Sequence, residues 1–594
     1  KMLHQLQNLN STDFYVLFNS LILIGSLFFV GRSITGNKNI QAIQIPVGMF
    51  VIYVFFIFGS LIKSEFSILN VVILLFLLTL IGIWRARSIL FQDLKIIFLS
   101  FIFIFPLLIF GVLSHDYLWD DYTNWIPPAR YLYINKHLPT LSEPIINNVT
   151  ASYPYLRALI HSIINLPMNE FIMNIQIVFN FIFGSSIFFW ASPICKVIYP
   201  KEDISIYKII KIMGSFLCFL IIIWVITLDR FLFSSYSEAT YLICLLHLFF
   251  YLIFNYNKYS KLKNEKFDYL LSILLTIPLL IKEIGFYHSL IIFFSYLLVF
   301  EIYKLFKNDE NYNTKIKILI LKLSNLIPLF LLKFLWSYYV EKNQINVVFN
   351  SFILDDKLSS IPKIFSSATF QFLNNFPTTS SIIIIIFFIL FSHTSKIPKL
   401  ISNKSQFLFV FLCSMGFVLL TIFAYILIFT PFEANRAASF SRYLAPVSFL
   451  LWSSIIIATI NSDIIVKPKI INYLSIIIIS TYLLTIYINI NKYSFNENND
   501  DKYKEIAMNI VSNFPKNEPL YIIDLQTNGI DAVKIRYYIN EYIRVDYFAS
   551  VHLTGKLNKS IISNWFDNYK NIHIHSASNT ELIMIKEFVD NYKK

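Results

Sequence analysis

Charged residues are what this chain most lacks. Asp, Glu, Lys and Arg make up 14% of its 594 residues, against roughly a quarter in soluble domains, so a soluble globular protein is excluded. Glycine is almost as scarce: thirteen in the whole chain supply no Gly-rich loop of the kind that wraps a phosphate, which argues against a nucleotide-binding fold. The four cysteines, Cys195, Cys218, Cys244 and Cys413, lie in or beside apolar segments, so neither a disulfide framework nor a metal cluster is implied. Internal repeats and low-complexity tracts are also missing.

Apolar residues take up the room. Hydrophobic residues reach 56% and aromatics 18%. Runs suited to a membrane helix, which needs about 20 residues, recur at 14–31, 45–62, 68–84, 96–113, 171–193, 213–228, 239–256, 268–281, 285–303, 324–339, 380–393, 406–430, 443–460 and 471–489. Several are short or interrupted, so twelve to fourteen transmembrane helices are expected. The first run lacks a small-residue cleavage site, which predicts a retained helix and not a signal peptide. The net charge of +13 points to membrane topology and not to nucleic acid. Lys and Arg concentrate in alternate loops, with 23 in 32–44, 85–95, 194–212, 255–267, 304–322, 394–405 and 461–470, against four in the short turns 63–67, 229–238, 282–284 and 431–441. The positive-inside bias assigns the first set to the cytoplasm. The segments 114–170 and 340–379 and the tail are then expected on the outer, periplasmic side of a plasma or inner membrane.

The expected fold is an α-helical polytopic membrane protein with a small soluble C-terminal α/β domain. It divides into N-terminal transmembrane helices (1–113), an outward loop with interfacial helices (114–170), a transmembrane region (171–489) carrying an outward loop at 340–379, and an outward domain (490–594). In the last, PLYIID (519–524), YIRVDYF (542–548) and NIHIH (571–575) predict strands, and 501–513, 530–539, 559–569 and 580–592 predict helices. That alternation builds a sheet covered by helices. The 340–379 stretch has no strong periodicity and is read as a lid or binding loop. Segment 155–166 is helix-like but too short and polar to span, which predicts a helix on the membrane surface.

The stretch SHDYLWDDYTNWIPPARYLY (114–133) gathers Asp116, Asp120 and Asp121 among Trp119, Tyr122 and Trp125. Aromatic belts and stray carboxylates occur at any membrane interface. Two adjacent carboxylates, however, repel each other, and desolvation raises the pKa of at least one, the condition for a general base or a cation ligand. If a metal binds, Asp120 and Asp121 are its ligands, and Mg²⁺ or Mn²⁺ is the ion they suit. Further on, ASYPYLRALIH (151–161) carries Tyr153, Arg157 and His161, the last two sharing a helix face. The arginine either binds a phosphate or snorkels from the interface.

Glu238 heads an apolar helix, where it caps the dipole or joins an outward polar cavity. Lys282 and Glu283 fall between two apolar helices with no room for a loop, and charges at membrane spans default to function. In TPFEANRAASFSRYLAP (430–446), Glu433, Arg436, Arg442 and Tyr443 precede the next span. An arginine at a helix start opposes the dipole and calls for an anionic partner, which a lipid phosphate supplies. Lys333, inside the run 324–339, has no place in this outward cluster.

Taken in chain order, WDDYTNW (119–125), SYPYLRAL (152–159), Lys282 after a mid-chain helix and Arg442-Tyr443 at a re-entry point resemble the motifs of the GT-C class of membrane glycosyltransferases. That class includes the dolichyl-phosphate-mannose protein mannosyltransferases and the aminoarabinose transferases of lipid A. The likeness covers roughly residues 90–460 in architecture and only short motifs in sequence. It implies sugar transfer, with inversion, from a polyprenyl-phosphate-linked donor to a glycan, lipid or protein acceptor. Asp120 would be the catalytic base and Asp121 the second acidic position, with Arg442, Lys282, Arg157 and Tyr443 around the donor phosphate. Two departures stand out. The acidic motif follows the fourth apolar run and not the first, and its second acid is Asp121 and not Glu, so the base stays open between the two aspartates. Metal dependence stays open as well. The alternatives are an O-antigen polymerase or ligase with a lipid-pyrophosphate donor, and a transporter or flippase of lipid-linked sugars. A transporter calls for broken helices and polar groups at the midplane, whereas here the polar groups crowd one face.

Overall fold

The computed structural model describes the chain apart from residues 1–10, 37–40, 64, 114–120, 146–150, 200–204, 229–231, 233, 235, 260–267, 303–311, 346–359, 395–403, 430, 462–467, 493–499, 517, 528, 540–542, 550–556 and 593–594. Among the described residues ten helices are long and apolar enough to cross a bilayer: Ser11–Thr35, Gln41–Ile62, Ile68–Ala86, Leu90–Ile109, Ile175–Ile198, Ile206–Leu228, Ile284–Ile302, Lys315–Lys342, Ser405–Leu427 and Phe440–Thr459. Four shorter apolar helices, Glu238–Phe254, Tyr269–Ile281, Phe376–Ile386 and Asn472–Ile488, account for the remaining runs. Helices are the expected answer to this composition, because without water a backbone must satisfy its own polar groups. The outward faces of several stay apolar, as with Ile73, Phe76 and Leu80 on one helix and Phe330, Phe334 and Tyr338 on another. Such faces suit a lipid surround.

The first three helices pack through glycines. A Cβ at Gly48 would overlap the Leu27 carbonyl, one at Gly82 the Phe29 carbonyl and one at Gly31 the Gln44 carbonyl, so these backbones meet without intervening side chains, the usual route to tight packing where no hydrophobic effect operates between helices. At the far end of the first helix Arg32 pairs bidentately with Asp93, Nε donating over 3.0 Å and Nη2 over 2.7 Å, and both side chains are buried. Gln41 also donates to Asp93, and Arg32 Nη1 donates to the Gly36 carbonyl at 3.1 Å. This fork ties Ser11–Thr35 to Leu90–Leu113 and closes the charge on itself.

Two expectations are corrected here. Helix Leu156–Asn165 forms as predicted but does not lie on a membrane surface, since all ten of its residues are buried inside the protein. It is enclosed because the loop before it is pinned from outside: Trp336 Nε1 donates to the Ser152 carbonyl (2.8 Å), the Tyr339 hydroxyl donates to the Pro139 carbonyl (3.1 Å), and the Tyr155 N–H donates to the Tyr53 hydroxyl (2.9 Å). The 340–379 stretch is also not one irregular loop. Helix Ile361–Asn374 occupies its second half, opened by a proline at its start, with Ile364 and Ala368 buried one turn apart. Residues 346–359 lie outside the described part.

The C-terminal domain is a three-stranded sheet of β1 (Leu520–Asp524), β2 (Val545–Ala549) and β3 (Asn571–Ser576), ordered β2-β1-β3 and parallel throughout. Helices Asp500–Asn513 and Ile530–Ile539 pack on one face, and Lys559–Asn568 and Asn579–Tyr592 on the other. The buried Asp524 carboxylate ends β1 and caps the helix Ile530–Ile539, accepting the N–H groups of Asp531 (3.1 Å) and Ala532 (3.2 Å). One turn on, Asp531 accepts from the Tyr503 hydroxyl (2.7 Å) and from His575 Nε2 (3.3 Å). Burial alone would raise the Asp531 carboxyl, but these partners outweigh it and hold it below the ordinary carboxylate range.

Two expected outcomes follow from this packing. Gly48→Ala lowers thermal stability by about 1–3 kcal/mol or more, whereas Gly25→Ala, where nothing lies within 4 Å of the new Cβ, leaves it unchanged or slightly raised; detergent-solubilised melting curves compare the two. Because the Asp531 pKa is depressed on folding, its stabilisation is present above about pH 4 and fades as pH falls through the folded value. Asp531→Asn should therefore speed proteolysis of the tail at pH 7, with the difference from wild type shrinking only as the pH falls below about 4.

Candidate functional site

The segment before the buried helix supplies the aromatic floor. Residues Asp121–Trp125 form a π-turn that runs directly into helix Ile126–Asn135, whose Pro127 and Pro128 fall in its first turn and suit it. Asp121 is fully buried, and Trp125 packs against Tyr153 (centroids 5.7 Å) and Tyr236 (6.5 Å). Arg157, the second residue of its helix, lies with its guanidinium 6.0 Å from the Trp125 ring centroid. Its Nη2 donates to Asn180 Oδ1 over 3.3 Å, and Asn180 is itself fixed by Thr240 (2.8 Å) and by the Ser234 carbonyl (3.2 Å). Arg157 Nε and Nη1, and the Trp125 indole N–H, are buried without a hydrogen-bond partner among the described residues.

Glu238 opens helix Glu238–Tyr259 and faces two cations. Lys282 Nζ donates to its Oε1 at 2.8 Å, and Arg442 Nε stands 3.4 Å from the same oxygen. All three side chains are nearly buried. Lys282 reaches inward because the chain breaks there: Tyr269–Ile281 ends, Lys282 is extended, and Ile284–Tyr296 starts at once. Gly285 permits the reversal, since a Cβ on it would overlap the Pro278 carbonyl. Arg442 arrives by a different route. Ala437 (φ 45°) and Ser439 (φ 61°) both adopt the left-handed region, which costs non-glycine residues energy, and this turn aims the short helix Phe440–Tyr443 at the cluster. Gln371 holds the turn by donating to the Arg436 and Ala437 carbonyls at 2.8 Å each, and Tyr425 donates to the Ala438 carbonyl.

Aromatic faces complete the enclosure. Lys282 lies 5.9 Å from the Trp125 centroid and 5.6 Å from Tyr443, and Arg442 lies 5.2 Å from Tyr236 and 5.0 Å from Tyr443. Tyr443 accepts from Arg442 Nη2 at 3.0 Å. Burial pushes the Arg157 guanidinium down to about 9, and the nearby Asp121 and Glu238 carboxylates oppose that fall. Among the described residues the cluster therefore holds three cations, Arg157, Lys282 and Arg442, and two carboxylates, Asp121 and Glu238. An apolar groove of about 320 Å³ is lined by Phe372, Phe411, Met415, Val418, Phe440 and Leu451. Phe440, on the short helix that carries Arg442, belongs to this groove.

Of the residues singled out from sequence, Asp121, Trp125, Tyr153, Arg157, Glu238, Lys282, Arg442 and Tyr443 come together. Asp116 and Asp120 lie outside the described residues. His161 shares Arg157's helix but turns elsewhere: its Nε2 meets the Ile172 carbonyl at 2.9 Å, its ring packs on Phe171, and burial drives it down to about 3, so it is neutral. Arg436 is exposed and joins the turn through its backbone. Glu283 does not pair with its neighbour Lys282 but with Lys333, at 2.9 Å. That pair, about a third exposed, gives Lys333 the place it lacked. Asn180, Thr240 and Tyr236 were not anticipated, although an asparagine in the middle of the apolar run 171–193 is a signal that an intramembrane polar residue has work to do. No group of three His, Cys, Asp or Glu side chains converges as a metal site among the described residues. No protein-family model matches the chain, and no curated protein is similar to it in sequence.

The two ion pairs should respond differently to removal of their acid. Glu238→Gln strands two buried cations and should cost about 3–5 kcal/mol, whereas Glu283→Gln breaks a partly exposed pair and should cost about 1 kcal/mol or less. Melting of the purified variants measures the contrast.

Proposed function

We propose that the protein is a glycosyltransferase that moves a sugar from a polyprenyl-phosphate-linked donor to a glycan, lipid or protein acceptor at the outer face of a membrane. The observation that carries this reading is Arg157, a buried guanidinium whose Nε and Nη1 have no hydrogen-bond partner among the described residues, with the further cations Lys282 and Arg442 close by. Unsatisfied buried donors are costly, and a phosphate oxygen pair is the shape that a guanidinium edge accepts. The apolar groove that includes Phe440 suits the donor's hydrocarbon chain, and the rings of Trp125, Tyr153 and Tyr236 suit a sugar face.

In this reading the acceptor hydroxyl gives its proton to Asp120 as its oxygen bonds to the anomeric carbon. The bond from that carbon to the phosphate oxygen breaks on the opposite face, and polyprenyl phosphate leaves with the electron pair. The configuration inverts. Asp121 is the counter-charge to Arg157, and Arg157 donates from Nε and Nη1 to the departing phosphate. Lys282 and Arg442, held by Glu238, add positive potential in a site from which water is excluded, where such stabilisation is strongest. Two adjacent aspartates would also suit Mg²⁺ or Mn²⁺.

Purified protein supplied with a polyprenyl-phosphate sugar should consume the donor over time. Asp120→Asn should abolish turnover, Arg157→Gln should lower it by about 100-fold to 1,000-fold, and the surface change Lys559→Ala should leave it intact. Undiminished turnover in both Asp120→Asn and Asp121→Asn would sink the acid-base mechanism, and consumption of a pyrophosphate-linked donor alone would favour the polymerase or ligase reading.

A further inference from the structure

The tail domain touches the rest of the protein at a telling place. Of its four helices, Ile530–Ile539 docks on the π-turn Asp121–Trp125 and on helix Ile126–Asn135. Val533 and Tyr537 are buried in the core of the membrane helices and not in the domain's own core. Tyr537 is gripped from two sides. Its ring meets Tyr122 edge-on at 5.4 Å, the Arg130 guanidinium stands 5.0 Å from its centroid, and Arg130 Nη1 donates to its carbonyl at 3.2 Å. Lys534 lies 5.9 Å from the Tyr122 ring, and the Tyr538 hydroxyl points to Met173 Sδ at 3.9 Å. Tyr122 is the residue that follows Asp121, and both are buried.

We infer that the C-terminal domain is a wall of the site, and that Tyr537 is a positioning residue that holds the Asp121–Trp125 turn so that Asp121 and Trp125 face Arg157. A π-turn is rare, mostly a single turn at a functional site, and hydrogen-bonds less favourably than an α-helix, so it persists where its surroundings fix it. The surroundings here are the membrane core on one side and Tyr537 on the other. The support reaches back into the tail: the Asp524 cap fixes the N-terminus of Ile530–Ile539 to β1, and the helix transmits the sheet's position to Tyr122. This inference rests on the reading of Asp121, Trp125 and Arg157 as the site, and it gives the tail a role in that site beyond covering it.

The test uses the full chain with Asp121→Cys as a reporter, because the four native cysteines are buried. Maleimide labelling at position 121 should be slow in this parent, about tenfold or more faster when Tyr537→Ala is added, and near the parent rate with Tyr537→Phe, which keeps the ring. Arg130→Gln, made on the opposite side of the contact, should accelerate labelling without altering the tail. Equal protection in the parent and Tyr537→Ala would overturn the inference, as would fast labelling in the parent. In chains that retain Asp121, Tyr537→Ala should lower kcat for donor consumption about tenfold or more, with Tyr537→Phe near wild type. Faster labelling with no donor consumed by the wild-type chain leaves the docking role standing and removes the sugar-transfer reading. Unchanged kcat in Tyr537→Ala, with an active wild type, removes the positioning role alone.

Discussion

A carboxylate shared by two cations inside a low-dielectric chamber is the constraint on which this end of the molecule depends. Each ion removed from water costs several kcal/mol, and only close partners offset it. Glu238, Lys282 and Arg442 come from three separate parts of the chain, so the backbone has to be bent to bring them together. The extended Lys282 between two helices, the glycine at 285 that lets them fold back on each other, and the left-handed Ala437 and Ser439 are the local forms that this requirement takes. Remove the charges and none of these features has a reason. With them in place, the helices on which they sit have one arrangement that leaves no ion stranded.

Two buried charge clusters among the described residues differ in how they are closed. Arg32 and Asp93 form a closed fork, with Gln41 and the Gly36 carbonyl taking up further donors and acceptors, and such a pair does what a structural clamp does. Arg157 is different. Asn180 satisfies one edge of its guanidinium, and Thr240 and the Ser234 carbonyl fix Asn180 in turn, but the other edge has no protein acceptor among the described residues. A donor edge held rigidly by a hydrogen-bonded neighbour is oriented before any partner arrives, the feature on which the proposed function rests.

Much of this architecture was legible in advance. Apolar runs must become helices in lipid, so all fourteen segments could be placed from composition, and the alternating patterns at 519–524, 542–548 and 571–575 fall on the three strands. Individual site residues were legible when their charge was out of place in an apolar setting, which is why Arg157, Glu238, Lys282 and Arg442 stood out. Asn180 and Thr240 were missed because a neutral polar residue in a membrane run carries a weaker signal than a charge. Pairing was not legible at all. Lys282 and Glu283 are neighbours in sequence, yet each turns to a different helix, since adjacent residues point in different directions around a helix start. The enclosure of Leu156–Asn165 was also hidden, because its short and mixed pattern fits a surface helix equally well until hydrogen bonds from Trp336 and Tyr339, and one accepted by Tyr53, close the loop over it.

The sequence by itself determined that the chain is a bundle of apolar helices with a small α/β tail, and that a few charges would be concentrated near the ends of those helices. Those properties follow from transfer free energies and local periodicity, which act residue by residue. Tertiary structure alone decided which charges meet, that Arg157 keeps an edge open among the described residues while Arg32 does not, and that the tail's helix rests on the turn carrying Asp121. Such outcomes depend on distances between segments far apart in the chain, and burial strengthens an electrostatic contact only once folding has brought its partners within a few ångströms.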